Sequence, residues 1–222
     1  LGVAMNLAPN ADIAIAGGPG QGRAFSDQPA RVVGAVKAYV SAYRQSKVVA
    51  AVGPFPGDGA ASQDPNEGPA PVGLSLAELR DDDMTPFEAV ATGERAVPAI
   101  QMSNAIYAAY DSVTPATLLP DAVDELRDRI GFEGAIVSAD LVATTATTGG
   151  SVGQAAIEAL KAGVDLLLVP GGRAQQDEAY RAVVAALRSR KISPQRVAEA
   201  LGRIADLRAL TRDSRDPLRP GE

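Results

Sequence analysis

The side chains that this sequence offers for chemistry are acids, amides and a loop arginine. Histidine and cysteine are both absent from its 222 residues. Imidazole acid–base catalysis, imidazole metal ligation, thiolate chemistry and disulfides are therefore excluded. Asp64 and Glu67 sit in a Pro- and Gly-rich stretch and can give or take a proton. Between them Asn66 cannot titrate, and Pro65 fixes φ and lacks an N–H. Asp140 closes a run of small and β-branched residues. It is either a carboxylate re-aimed at the last residue of a strand or a structural, capping one. Arg23 lies in a glycine-rich segment with Asp12, which can orient its guanidinium through a charge-assisted pair. Asn104 can both donate and accept hydrogen bonds. Phe55-Pro-Gly-Asp58-Gly59 is either a tight turn or a binding turn.

No cofactor motif accompanies these groups. Gly17-Gly-Pro-Gly20 lacks the Gly-Lys-Ser/Thr and the helix start of a phosphate loop. Gly149-Gly-Ser151 precedes a helix and reads as a plain N-cap more readily than as an anion site. Asp81-Asp82-Asp83 lacks the spacing of a calcium loop and reads as a solvated face, so no metal is expected. A net charge of -6 without a Lys/Arg block argues against a nucleic-acid partner. No apolar run approaches the ~20 residues that span a bilayer. With 46% hydrophobic and 22% charged residues, one globular domain over 1–222 is expected. Abundant Ala, Arg, Val and Gly with few Lys suggest a GC-rich, bacterial genome.

The elements that must position these residues alternate between strand and helix. Apolar or β-branched runs predict strands near 3–7, 48–52, 96–102, 134–138 and 166–169. Helical spacing predicts helices over 31–46, 86–92, 120–129, 151–162, 174–190 and 194–210. Ser75 with Glu78 forms a capping box, Gly163 suits a C-terminal cap, and Ser193-Pro194 opens the last helix. Residues 12–27 and 53–73 read as loops of the functional kind. Strands alternating with helices imply a parallel sheet with right-handed crossovers, with the loops on its C-terminal face.

Six blocks in order carry a family resemblance. They are Asn6-Leu-Ala-Pro-Asn-Ala-Asp12, Arg23-Ala-Phe25 with Pro29, Gly53-Pro-Phe-Pro-Gly-Asp-Gly59, Asp64-Pro-Asn66, Ser103-Asn-Ala-Ile-Tyr107, and Ala162-Gly-Val-Asp-Leu-Leu-Leu168. With Gly131-Phe-Glu-Gly-Ala-Ile-Val-Ser-Ala-Asp-Leu141 they resemble family 3 glycoside hydrolases, and within that family the β-N-acetylhexosaminidases.

The resemblance implies an α/β fold of the (β/α)8 TIM-barrel type. Five strands fill only part of a barrel that needs eight, and the family's first strands have no counterpart here. The expectation is a partial barrel, completed by a second chain or a missing N-terminal segment. A start at Leu1-Gly2-Val3 fits a fragment or a processed product.

The resemblance also implies a carbohydrate partner, an N-acetylglucosamine-type sugar, and a place at the cell envelope or outside the cell, with the cytoplasm left open as the alternative. The family nucleophile is an Asp at the end of the strand after Gly-Phe-x-Gly, and that position is Ala139 here. The family's mobile Asp-x-His pair reads Asp64-Pro65-Asn66, and other family histidines read Pro54, Asp58 and Asn104. Arg23, Asp12, Asp58, Asn66 and Asn104 are the implied substrate-binding positions. No catalytic residue is assigned outright; for an active enzyme the candidates are Asp140, Asp64 and Glu67. The expected function is a pseudoenzyme with a structural or sugar-binding role, the alternative an active retaining β-glycosidase with displaced carboxylates.

Overall fold

The computed structural model describes residues 2–211. Its main sheet has strands β1 (Met5–Asn6), β2 (Val49–Phe55), β4 (Ala99–Met102), β6 (Ala135–Asp140) and β7 (Leu166–Leu168). They lie side by side in that order, all parallel, as the alternation predicts. The sheet curls into half a barrel. A second, two-stranded parallel sheet joins β3 (Pro71–Val72) to β5 (Ile106–Tyr107) over its C-terminal end. The helices are α1 (Pro29–Gln45), α2 (Leu76–Glu78), α3 (Thr85–Ala91), α4 (Pro120–Asp124), α5 (Leu141–Thr148), α6 (Val152–Ala162), α7 (Arg173–Arg188) and α8 (Pro194–Thr211). π-helical turns over Leu79–Asp83 and Glu125–Arg129 extend α2 and α4.

The alternation of side chains along each strand sorts the sheet into two faces. Ala50, Val52, Ile100 and Ile136 pack outward with Val36 and Val40 of α1, Phe87 of α3, Leu126, and Ala155 and Ala159 of α6. Val49, Ala51, Ala99, Ala135 and Val137 point to the inner face, where Leu207 of α8 packs on them. Small residues on that face let one leucine cover three strands. Burying a leucine side chain contributes about 1.5–3 kcal/mol.

Asp165, just ahead of β7, fastens α8 and the turn after α4 to the sheet. Its side chain is 0% exposed and pairs with Arg127 at 2.7 Å, Arg203 at 3.1 Å and Arg196. It also accepts the amide of Ile136 at 2.9 Å. Arg127 donates onward to the carbonyls of Phe132 and Gly134 at 2.6 and 2.7 Å, and lies 5.3 Å over the Phe132 ring.

Several sequence expectations change in detail. Strand β2 does not stop at Val52 but runs on to Phe55, because a register shift between Val52 and Phe55 absorbs Pro54. The strand expected over 96–102 starts only at Ala99, after Pro98. Residues 53–73 are not all loop, since Pro71 and Val72 pair with Ile106 and Tyr107. Helix α5 is unforeseen. The Ser75–Glu78 capping box forms, Ser151 caps α6 through Gln154, and Ser193 accepts the amide of Arg196 as the last helix begins.

Candidate functional site

The loops that follow β1, β2, β4 and β6 meet at the C-terminal end of the sheet around a cleft of about 450 Å³. Arg23, Asp58, Asn66, Asn104, Ala139 and Asp140 line it together. Pro54, Gln101 and Ser103 complete the floor. Glu67 is exposed and not among the lining residues, and Asp64 stands behind Arg23.

Backbone-to-backbone packing brings the loops that close. A Cβ on Gly59 would lie 2.1 Å from the carbonyl oxygen of Ile13, so only glycine lets these two segments touch. Gly57, at φ +132°, lies against Asp83, where a Cβ would come within 2.9 Å of the aspartate's own. The 12–27 and 53–73 segments are thereby locked to each other and to the π-turn.

Asp12 serves this junction and not Arg23. Its Oδ1 accepts the amide of Asp58 at 2.7 Å and its Oδ2 accepts the Asn10 side-chain amide at 2.8 Å. Arg23 reaches instead to Asp64 at 3.6 Å, a half-exposed pair worth little to stability. Asp64 Oδ1 also accepts the Asn66 amide at 2.9 Å, which holds the Asp64-Pro65-Asn66 turn.

Asp58 is 7% exposed. Its Oδ1 accepts hydrogen bonds from Ser103 Oγ and from Tyr107 OH, the latter at 2.9 Å. Burial first, then the charge of Asp12, push its carboxyl up to about 8. Asp12 is raised by burial as well. Asp83, only 4% exposed, is pushed up to about 7 by burial and by Asp12 and Asp82, and its Oδ1 is buried without a partner. The expectation that Asp81–Asp83 is wholly a solvated face thus fails at Asp83. Leu79, Asp83 and Phe87 recur every four residues and are all buried, a spacing that marks the third acid as inward-facing.

At the other wall, β6 ends beneath Asn104. The amide of Ala139 donates to Thr117 Oγ1 at 3.0 Å, and the residue lines the cleft with 4% exposure. A register shift between Val137 and Asp140 bends the strand here. Asp140 then becomes the N-cap of α5, its Oδ1 accepting from the amides of Val142 and Ala143 at 2.8 and 3.0 Å. Asn104 donates to the Asp140 carbonyl at 3.0 Å and to Asn66 Oδ1 at 3.2 Å, and accepts from Thr144 Oγ1 at 2.7 Å. It ties three loops together at one point. Helix α5 explains what the carboxylate of Asp140 is for, and its absence from the sequence reading left two roles open.

Residues 1–207 match the family described as "Glycosyl hydrolase family 3 N terminal domain". An uncharacterized secreted glycosyl hydrolase of Arthroderma benhamiae is 35% identical over 193 residues, covering 85% of this chain and 54% of its own. A beta-hexosaminidase of Methylococcus capsulatus is 30% identical over 184 residues, 82% of this chain and 53% of its own. Among solved structures, a family 3 β-N-acetylglucosaminidase from a Paenibacillus species superposes with a TM-score of 0.86 at 27% identity, over 100% of this chain and 43% of that one. The chain spans about half the length of the curated relatives it matches. Among the described residues no helix is long and apolar enough to cross a membrane. Sequence, sheet order and superposition agree: the chain belongs to glycoside hydrolase family 3, of whose N-terminal, TIM-barrel-like domain it forms an incomplete, five-stranded version.

Proposed function

We propose that this chain is a carbohydrate-binding member of its family with impaired hydrolysis, and that its ligand is a β-linked, N-acetylglucosamine-type sugar. The observation that carries this reading is the end of β6. Ala139 brings no carboxylate to the cleft it lines, and the next residue spends its carboxylate on capping α5. A retaining glycosidase needs a carboxylate nucleophile and a proton donor about 5 Å apart. Asn66 cannot supply the proton, and Asp64 is occupied by Arg23 and Asn66. What the cleft offers is a set of donors and acceptors suited to sugar hydroxyls: Arg23, Asn66, Asn104 and Asp58.

Hydrolysis by displaced carboxylates is the rival reading, and it draws on one fact: Asp140 does line the cleft. Incubation with an aryl β-N-acetylglucosaminide separates the two. Turnover that Asp140→Asn abolishes overturns the impaired reading; no turnover beside measurable sugar binding supports it.

The remainder of the barrel belongs to the same proposal. Among the described residues, strands β1 and β7 are each paired on one side only, which fits a single partial barrel domain that further polypeptide, from a second chain or from the same one, completes. Names of relatives supply the sugar class, since the Paenibacillus structure is of a β-N-acetylglucosaminidase.

A further inference from the structure

The floor of the cleft holds one carboxyl group whose chemistry goes beyond filling a binding position. Asp58 has its Oδ1 within hydrogen-bond reach of two hydroxyls, Ser103 Oγ and Tyr107 OH, and the Tyr107 hydroxyl also lies 3.0 Å from the carbonyl of Gly57. Its Oδ2 has no hydrogen-bond partner among the described residues, and Asp58 lines the cleft. One oxygen thus has two hydroxyl neighbours inside the protein, and the other has no partner there.

Charges around this carboxyl oppose its ionisation. From the loop after β1 comes Asp12, bonded to the Asp58 amide at 2.7 Å. Behind Gly57 stands Asp83, buried, with Asp82 beside it. From β5 comes the neutral phenol of Tyr107. Asp140 lies on the cleft wall, and Asp64 behind Arg23. Arg23 is the one cation among the described residues that line the cleft, and it is half-exposed and shared with Asp64. Burial and Asp12 outweigh that single cation, which is why the Asp58 carboxyl is pushed up to about 8.

We propose that Asp58 holds its proton on Oδ2 at neutral pH and donates it as a hydrogen bond to an oxygen of the bound sugar. This rests on the carbohydrate-binding reading above and names the group that sets its specificity. An ionised carboxylate only accepts; the neutral acid adds a donor, and a buried acid kept neutral for that purpose is a known device. The donor favours an acceptor-only oxygen, such as a ring oxygen or an N-acetyl carbonyl, over a charged or purely donating group. No bond is made or broken, and the proton stays on Asp58.

The test is calorimetric titration of the intact chain with N,N′-diacetylchitobiose between pH 7 and 9. If only the protonated form binds, the Kd rises about tenfold across that range, following the protonated fraction. Asp58→Asn replaces the acid proton with an amide N–H, and is expected to bind with an affinity that stays flat over the same range. A wild-type affinity that stays flat overturns the donor role and leaves carbohydrate binding standing. So does an equal pH dependence in Asp58→Asn. No binding at any pH sinks the carbohydrate reading and the donor role with it. Infrared difference spectra of wild type against Asp58→Asn read the proton without any ligand: a protonated-carboxyl C=O stretch at pH 7 that vanishes by pH 9.5 is expected, and its absence at pH 7 overturns the proposal.

Discussion

Asp12 accepts the backbone amide of Asp58 at 2.7 Å, so two buried carboxyl groups from the segments that follow neighbouring strands meet behind the cleft that Asp58 lines. The contact is made by the backbone of one and the side chain of the other. It fixes the geometry of the Phe55–Gly59 turn whatever the protonation of Asp58, while leaving Asp12 close enough to raise the Asp58 carboxyl. Asp83 adds a third acid behind Gly57.

These acids make stability fall as pH rises. Asp83 and Asp58 are raised to about 7 and about 8, above the unfolded carboxylate value, and Asp12 is raised too. Between about pH 4 and pH 8 the folded state therefore binds more protons than the unfolded one, and the stability present below that window is lost across it. Replacing Asp83 by Asn removes one buried charge without changing volume. Asp83→Asn should match wild type in Tm at pH 5 and exceed it at pH 8.5 by at least about 2–4 °C, the shift that 1 kcal/mol produces in a chain of this size. Calorimetry at the two pH values decides, and a Tm difference that does not change with pH refutes the reading.

A larger loss is expected at Asp165. Its buried carboxylate pairs with Arg127, Arg203 and Arg196 together. Removing one partner of a buried ion pair typically costs about 3–5 kcal/mol, because the remaining charges stay buried without compensation. Asp165→Asn should lower the unfolding free energy in urea by that amount and loosen α8, seen as faster amide exchange in residues 194–211. A loss below about 1 kcal/mol would mean that the arginines find water instead.

How much of this was legible in the sequence follows from the signals each part emits. The five strands of the sheet announce themselves because each is an apolar run too short for a helix. Pairs such as Pro71–Val72 with Ile106–Tyr107 have no periodicity to read, being two residues long. Helix α5 is rich in threonine, which favours strand over helix, and it forms because Asp140 caps it and Leu141 and Thr144 are buried. Convergence of Arg23, Asp58, Asn104 and Ala139 rested on family motifs, since nothing local in the chain says that residues 23 and 139 meet. The exchange of Arg23 from Asp12 to Asp64 was beyond reach, because both acids are within sequence range and only the backbone packing at Gly59 decides between them.

Asp140 offers a way to tell capping from catalysis. Alanine there strips two amides of their acceptor and should cost about 0.5–2 kcal/mol, the usual loss at an N-cap. Asparagine caps nearly as well as aspartate, so Asp140→Asn should keep wild-type stability in a urea melt. Equal destabilisation by both variants would show that charge, and not the cap, is what the site needs.

Activity gives the last test. Simple β-glycosides should not be hydrolysed detectably by the unmodified chain, and Ala139→Asp should restore no more than a trace. The substitution supplies a carboxylate at the end of β6, one of the two groups that a retaining mechanism requires. On the proposed reading the other is still missing, because the family resemblance sets Asn66 at the proton-donor position and an amide cannot titrate. General acid help contributes about 10²–10⁴-fold, and it matters most where the leaving group is a poor one. An activated aryl leaving group departs without a proton. Ala139→Asp should accordingly give a slow burst of phenol with an activated aryl β-N-acetylglucosaminide and no product from N,N′-diacetylchitobiose. Steady turnover of that disaccharide by the unmodified protein would mean that Asp140, Asp64 or Glu67 had taken over the chemistry, and the cap at Asp140 would then have to open in the working state.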